Sequence, residues 1–163
     1  MAAGDVIIRP PQEDDAAALA AMVDELNVHE GDPTGHFTAE TAINDVIAPD
    51  APVSGLIAEA AGAPVGYALW HFGYETAWAA RGTYLADLYV RETHRGAGVA
   101  DALLRAVARA TDRAGGTFIW WTAYRGNDRA RAFYRKRAAE EDGVVAYAAA
   151  HDDFKTLLGS PAS

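Results

Sequence analysis

Apolar and polar positions change their period several times along the chain, and the changes mark its elements. The β-branched run VIIRP, 6–10, is closed by Pro10 and Pro11 and predicts a strand. From Glu13 onward Leu19, Met22, Val23 and Leu26 recur at i, i+3, i+4 and i+7, which predicts a helix with one apolar face. Its N-terminal end, positive through the aligned peptide dipoles, suits the acidic cluster Glu13, Asp14 and Asp15. Thr38 is a natural N-cap for a second short helix running to about Ala48, where Pro49 stops it. Residues 53–72, VSGLIAEAAGAPVGYALWHF, predict two strands joined near Gly62, and GTYLADLYV, 82–90, predicts a third, so an antiparallel meander is expected. The period then lengthens. Residues 101–115 carry Leu103, Leu104, Val107 and Ala108 at helical spacing and close at Gly115 and Gly116. TFIWWTA, 117–123, predicts a strand, 128–137 a helix, 144–149 a further strand, and 152–158 a last helical turn or two before a loose tail.

Composition narrows the class. A chain of 163 residues suits one domain, 1–163, and no run approaches the roughly 18 apolar residues a membrane span needs. No secretory signal is visible at the N-terminus, so a soluble protein of the cytoplasm is expected. The absence of cysteine removes disulfides, thiolate nucleophiles and cysteine-based metal sites. The five histidines are scattered without helical ligand spacing, so no metal is expected. A net charge of -9 argues against nucleic acid as a partner. Its distribution is uneven: residues 1–80 hold one basic residue, Arg9, and thirteen acidic ones, while 81–163 hold thirteen basic and ten acidic. A cleft lined by both halves would offer a cationic ligand one wall and an anionic ligand the other; an acidic solvated surface that aids solubility is the plainer account.

The segment HRGAGVA, 94–100, stands where a strand hands over to a helix. About four backbone N–H groups lack partners at a helix start, and the dipole there is positive, so the position suits phosphate. Gly96 and Gly98 let the main chain approach an anion, and Arg95 adds a fork of donors. The same residues also make an ordinary tight turn with a solvated arginine.

RGAGVA fits the R/QxxGxG/A signature of the GNAT superfamily of N-acetyltransferases, with Arg95, Gly98 and Ala100 at the signature positions after a strand LADLYV. NDRARAFYRKRAA, 127–139, resembles the family's second cofactor motif, an Asn seven residues before a Tyr. The chain resembles that family over nearly its whole length. The diamine (spermidine/spermine) acetyltransferase branch is more similar still, through IRPPQEDD, ELNVHE, GYALWHFGYETAW, TYLADLYV and AFYRKRAA. The resemblance implies an α/β GNAT fold, a mixed sheet of six or seven strands with helices on both faces, splayed near the fourth and fifth strands. It also implies acetyl-CoA as co-substrate, a small amine acceptor and a homodimer. One departure stands out: where the branch carries a Glu in its fourth-strand motif, proposed to assist amine deprotonation, this chain has Ala86.

The roles that the resemblance implies are specific. Arg95, Gly96, Ala97, Gly98, Val99 and Ala100 would hold the coenzyme's pyrophosphate, and backbone groups of Leu88, Tyr89 and Val90 its pantetheine and thioester carbonyl. Asn127 would bind the pantetheine arm, or serve as a plain N-cap. Tyr134 would protonate the departing thiolate, or else pack at the core edge. Glu30 would face the acceptor amine, binding the ammonium or relaying its proton; a solvated helix-end Glu is the alternative. Asp87 is adjacent to Ala86, though strand alternation would turn it to the opposite face. Tyr74 and Trp78, in the loop between the third and fourth strands, would wall an acceptor channel or simply pack on the sheet. The charges of RARAFYRKR read mostly as a solvated helix face, from which some could reach coenzyme phosphates. The acidic N-terminal half favours a cationic acceptor, a polyamine or basic amino-acid derivative, over a protein N-terminus or an aminoglycoside. A protein that binds acyl-CoA as a sensor or interaction module, with little catalysis, is the competing class.

Overall fold

Five strands, β1 (Val6–Arg9), β2 (Ser54–Ala60), β3 (Ala63–Glu75), β4 (Ala80–Val90) and β5 (Phe118–Trp120), lie side by side in chain order in a computed structural model that describes residues 6–159. The first four form the expected meander, each antiparallel to the next, and β5 joins β4 in parallel. The two-residue connection Ala61–Gly62 has positive φ at both positions, 49° and 78°, so its twist matches the flanking strands. The chain divides after Thr122 into a larger N-terminal unit and a smaller C-terminal one.

Helices cover both faces of the sheet. Helix α1 (Ala16–Glu30) follows a 3₁₀ turn over Glu13–Asp15 and buries the predicted stripe of Leu19, Met22, Val23 and Leu26 against Ile57, Tyr67, Leu69 and Tyr89. Helix α3 (Val99–Arg113) buries Val99, Leu103 and Val107 against Ala58, Val65, Ala68, Trp70, Leu85 and Val90 on the other face. Between them in sequence, α2 (Ala39–Ala42) is capped by Thr38, whose hydroxyl accepts from Thr41 N–H at 3.1 Å, and widens into a π-type turn, Ile43–Ile47, before Pro49. A fully buried pair of hydroxyls, Thr83 on β4 and Thr111 on α3, satisfies itself at 2.7 Å.

In the C-terminal unit α4 (Asp128–Tyr134) and α5 (Asp152–Leu157) are helical, but the strand expected over 144–149 is not formed. Val144, Val145 and Tyr147 are exposed, Tyr147 by 94%. A strand needs a partner edge and side chains that pack on it, and a run holding four alanines among 146–150 has little area to bury. The sheet therefore has five strands among the described residues rather than six or seven. Two charges of the helix face pair at the surface: Arg131 and Arg135 donate to Glu140 at 2.6 and 2.8 Å and hold its carboxyl down to about 2.

The acidic start of α1 does more than complement a dipole. Asp15, only 6% exposed, accepts from Arg9 Nη1 and Nη2 at 2.6 and 2.9 Å and from Gln12 N–H at 2.7 Å, while Arg9 Nε donates to Glu59 at 2.7 Å. One guanidinium thus ties the edge strand, its neighbour and the helix entry together. Arg9 is the main reason that the Asp15 carboxyl lies below its ordinary value. The stability this confers is present above the ordinary carboxylate range and lost as pH falls through the lowered value. Arg9→Met should therefore cost about 2–4 kcal/mol near neutrality, with the difference from the parent shrinking in acid, as read by denaturant titration at several pH values.

Candidate functional site

Strand β4 has a partner on one side along its whole length and on the other for only part of it. It pairs with β3 from Ala80 to Val90, whereas β5 covers only Gly82, Thr83 and Tyr84. Arg91 N–H donates to Val65 C=O at 2.9 Å, towards β3. Backbone groups of successive strand residues point to opposite sides, so those of Leu88 and Val90 face the edge that β5 has left. The Val90 carbonyl shows this: it accepts from Arg95 Nε at 2.7 Å, on the side away from β3. The ladder between β4 and β5 stops at Tyr84, and at 88 and 90 the backbone groups of β4 point away from β3.

The turn after β4 leads out of this open edge. Glu92–His94 make a 3₁₀ turn, Arg95 is extended, and Gly96 and Gly98 take φ of +79° and +81°, a region in which side-chain-bearing residues are strained. A Cβ at either glycine would meet nothing within 4 Å, so the backbone conformation, not crowding within the chain, calls for glycine. Helix α3 begins at Val99, and its first N–H groups lie in the segment 98–100. Arg95 is engaged as well as solvated: one of its nitrogens closes onto Val90, and its guanidinium lies 5.7 Å from the Tyr89 ring centroid. The turn thus combines helix-start amides, a cation and two glycine-dependent bends.

On the α1 face the sheet carries an acidic group. Leu85 pairs with Trp70 and Asp87 with Leu69, leaving Ala86 as an inserted residue, a β-bulge. The bulge resets the alternation: Leu85 and Leu88 both pack on the α3 side, and Asp87 turns to the α1 side, where Tyr67 OH donates to its Oδ2 at 3.0 Å. The simple alternation that sets Asp87 apart from Ala86 does not hold across this point. Glu30, at the C-terminal end of α1, lies close enough to Asp87 to feel its charge. Burial pushes the Glu30 carboxyl up, and Asp87 and Asp32 push it further. Asp87 is also raised by burial, with the Tyr67 hydrogen bond acting in the opposite direction. Glu30 is half-buried at the end of its helix, and the negative charge of Asp87 disfavours its ionisation.

A second carboxylate behaves differently. Burial raises Glu25, but Arg91 and Tyr89 outweigh that and leave it below its ordinary value. Arg91 Nε and Nη2 donate to Glu25 at 2.9–3.2 Å, and Tyr89 OH donates to it at 3.0 Å, fastening α1 to the end of β4. Neither Glu25, Arg91 nor Tyr67 carries a motif, and their pairings span 64, 66 and 20 residues, so nothing in the sequence singles them out.

Tyr74 and Trp78 are 61% and 59% exposed; Tyr74 belongs to β3 itself and Trp78 to the tight turn after it, where its ring meets Phe118 edge-on at 5.4 Å. The loop expected around both is thus shorter. Asn127 caps α4, its Oδ1 accepting from Ala130 N–H at 3.1 Å. Tyr134 closes that helix, its ring 5.3 Å from Phe133. The described residues contain no group of three potential ligands able to hold a metal, and none of their helices is long and apolar enough to cross a membrane.

The chain matches the family model described as Acetyltransferase (GNAT) family over residues 19–139. It is 28% identical over 145 residues to the thialysine N-epsilon-acetyltransferase of Bos taurus, covering 83% of this chain and 85% of that one. Among solved structures, an integron cassette protein from the mobile metagenome of V. cholerae superposes with TM-score 0.79 at 20% identity, over 96% of this chain and 99% of the other. The ribosomal-protein-alanine N-acetyltransferase of Brucella melitensis gives 0.71 at 23% identity, over 88% and 98%.

The acidic pair carries a sign that can be checked. A carboxyl raised above its unfolded value adds stability below the unfolded pKa and loses it as pH rises through the folded one. Glu30→Gln should therefore be more stable than the parent at neutral and alkaline pH, with the advantage vanishing below the ordinary carboxylate range. Thermal or denaturant unfolding at a series of pH values reads this directly.

Proposed function

Since the chain belongs to the GNAT acetyltransferase family, we propose that it moves the acetyl group of acetyl-CoA to a primary amine of a small cationic acceptor, such as a polyamine or a basic amino-acid derivative, by direct attack in a ternary complex. The family match runs through the division after Thr122, which supports treating 1–163 as one acetyltransferase domain. The observation that carries the choice of acceptor is the pairing of Glu30 and Asp87 on the α1 face, beside the open half of β4. Two carboxyls sharing a partly desolvated site are costly unless a cation joins them, and an ammonium supplies it. The name of the Bos taurus relative points to a basic amino-acid derivative of the same charge type.

In this reading the turn 95–100 holds the pyrophosphate through Arg95 and the amides of Gly96 to Ala100, and Leu88 to Val90 line the pantetheine and the thioester carbonyl. Asn127 caps its helix and contributes to the pantetheine arm. Glu30 and Asp87 receive the ammonium, and Tyr74 and Trp78 wall its approach. The neutral amine attacks the carbonyl carbon, the C–N bond forms as the C–S bond breaks, and the thiolate takes its proton from Tyr134, which the second cofactor motif supports. Thiol release measured over a panel of amines, with product mass, tests the whole. Release that rises with diamines or basic amino acids supports it; coenzyme binding with no amine-dependent release would leave an acyl-CoA-binding module instead.

Two substitutions separate the parts. Gly98→Asp places a strained, anionic residue where phosphate must approach, and coenzyme affinity should fall by about tenfold or more, with Gly98→Ala losing less because it adds strain without charge. Unchanged affinity in a folded Gly98→Asp protein, read by calorimetry, would remove the turn from the site. Tyr134→Phe should keep coenzyme binding and lower turnover by about 10²–10⁴, the usual range for loss of a general acid; full turnover at neutral pH would exclude Tyr134.

A further inference from the structure

Tyr67 is among the largest fully buried side chains of the described residues, and it carries a hydroxyl that must find a partner there. That hydroxyl reaches across from β3 to Asp87 Oδ2 at 3.0 Å, and burial keeps it a neutral donor by pushing its own ionisation well above the ordinary phenol value. Its ring is 5.9 Å from that of Tyr89, so the phenol is clamped from the side. The charged and titratable groups around Asp87 are Tyr67 on β3, Glu30 at the end of α1 with Asp32 just beyond it, and Tyr89 two residues along β4, which hands on to Glu25 and Arg91. No cation in this set bonds to Asp87. Glu30, for its part, receives no hydrogen bond among the described residues, so the two members of the acidic pair are not equivalent.

Resting on the acceptor reading above, we infer that Tyr67 is a positioning residue for the amine: by occupying Oδ2 it holds the Asp87 carboxylate at the bulge with Oδ1 turned to the ammonium, and it leaves Glu30 as the group that takes the proton. Asp87 is then the anchor and Glu30 the base, which answers the missing carboxylate at Ala86. In the step itself the bound ammonium gives one proton to the Glu30 carboxylate, which becomes a carboxylic acid. The freed lone pair forms the C–N bond to the acetyl carbon, and the C–S pair leaves with sulfur. The second amine proton, lost as the amide forms, restores through solvent the one that Tyr134 gave to the thiolate, and Glu30 releases its proton to solvent.

The test is Tyr67→Phe, which removes one oxygen from the core and preserves its volume. Without the donor the Asp87 carboxyl is harder to ionise, so the acid limb of kcat/KM for the amine should move to higher pH. Near neutrality KM for the amine should rise several-fold, while KM for acetyl-CoA and kcat above the limb stay near the parent's. Asp87→Asn should raise KM for the amine on its own and should cancel any further effect of Tyr67→Phe in the double variant. A folded Tyr67→Phe protein with an unmoved acid limb, or additive effects in the double variant, overturns the positioning role. Should Tyr67→Phe fail to fold, an unchanged amine KM in Asp87→Asn overturns it equally. A parent protein that releases no thiol with any amine sinks the proposed function instead, so the two failures are told apart.

Discussion

Backbone hydrogen bonding sets the terms for everything else in the N-terminal unit, because β4 is zipped to β3 for its full length and to β5 for only three residues. A strand whose outer groups have no ladder partner must satisfy them elsewhere. Part of that demand is met inside the chain, where Arg95 reaches back to the Val90 carbonyl. The backbone donors at 88 and 90 point away from β3, and the turn after β4 begins within a few residues of them. The open edge and the glycine-bearing turn are thus one feature seen from two ends.

Electrostatics sorts the carboxylates of the same unit into two kinds. Asp15 and Glu25 are held by Arg9 and Arg91 and sit below their ordinary values; they are fasteners, joining β1 to the start of α1 and the end of β4 to its second half. Among the described residues no arginine or lysine bonds to Glu30 or Asp87, and burial raises both. A protein gains nothing in stability from the second kind. This contrast, more than the acidic balance of the N-terminal half, is what the proposed cationic acceptor rests on.

The candidate site was legible wherever a short segment carries its own physics. HRGAGVA shows its glycines and arginine in order, and the helix stripes of α1 and α3 come from spacing alone. The orientation of Asp87 was not legible, because a single inserted residue, Ala86, inverts the face that later residues of the strand present, and nothing in LADLYV announces a bulge. The run VVAYAAA reads as a strand through its β-branched start, but strand formation is decided by the neighbour it finds rather than by the run itself.

What the sequence determined by itself is therefore local: which stretches coil or extend, and where the chain bends through left-handed glycines at the start of α3. Those outcomes depend on residues within about one helical turn of each other, so order along the chain suffices. Only the tertiary structure decided that β5 stops short along β4, that Arg9 and Arg91 are fasteners, and that Tyr67 and Asp87 meet on the α1 face. Each of those depends on register between strands or on side chains brought together from separate elements, 20 residues apart for Tyr67 and Asp87 and 66 for Arg91 and Glu25. Register is a property of two segments at once, and burial of the whole: neither is written at any single place in the chain.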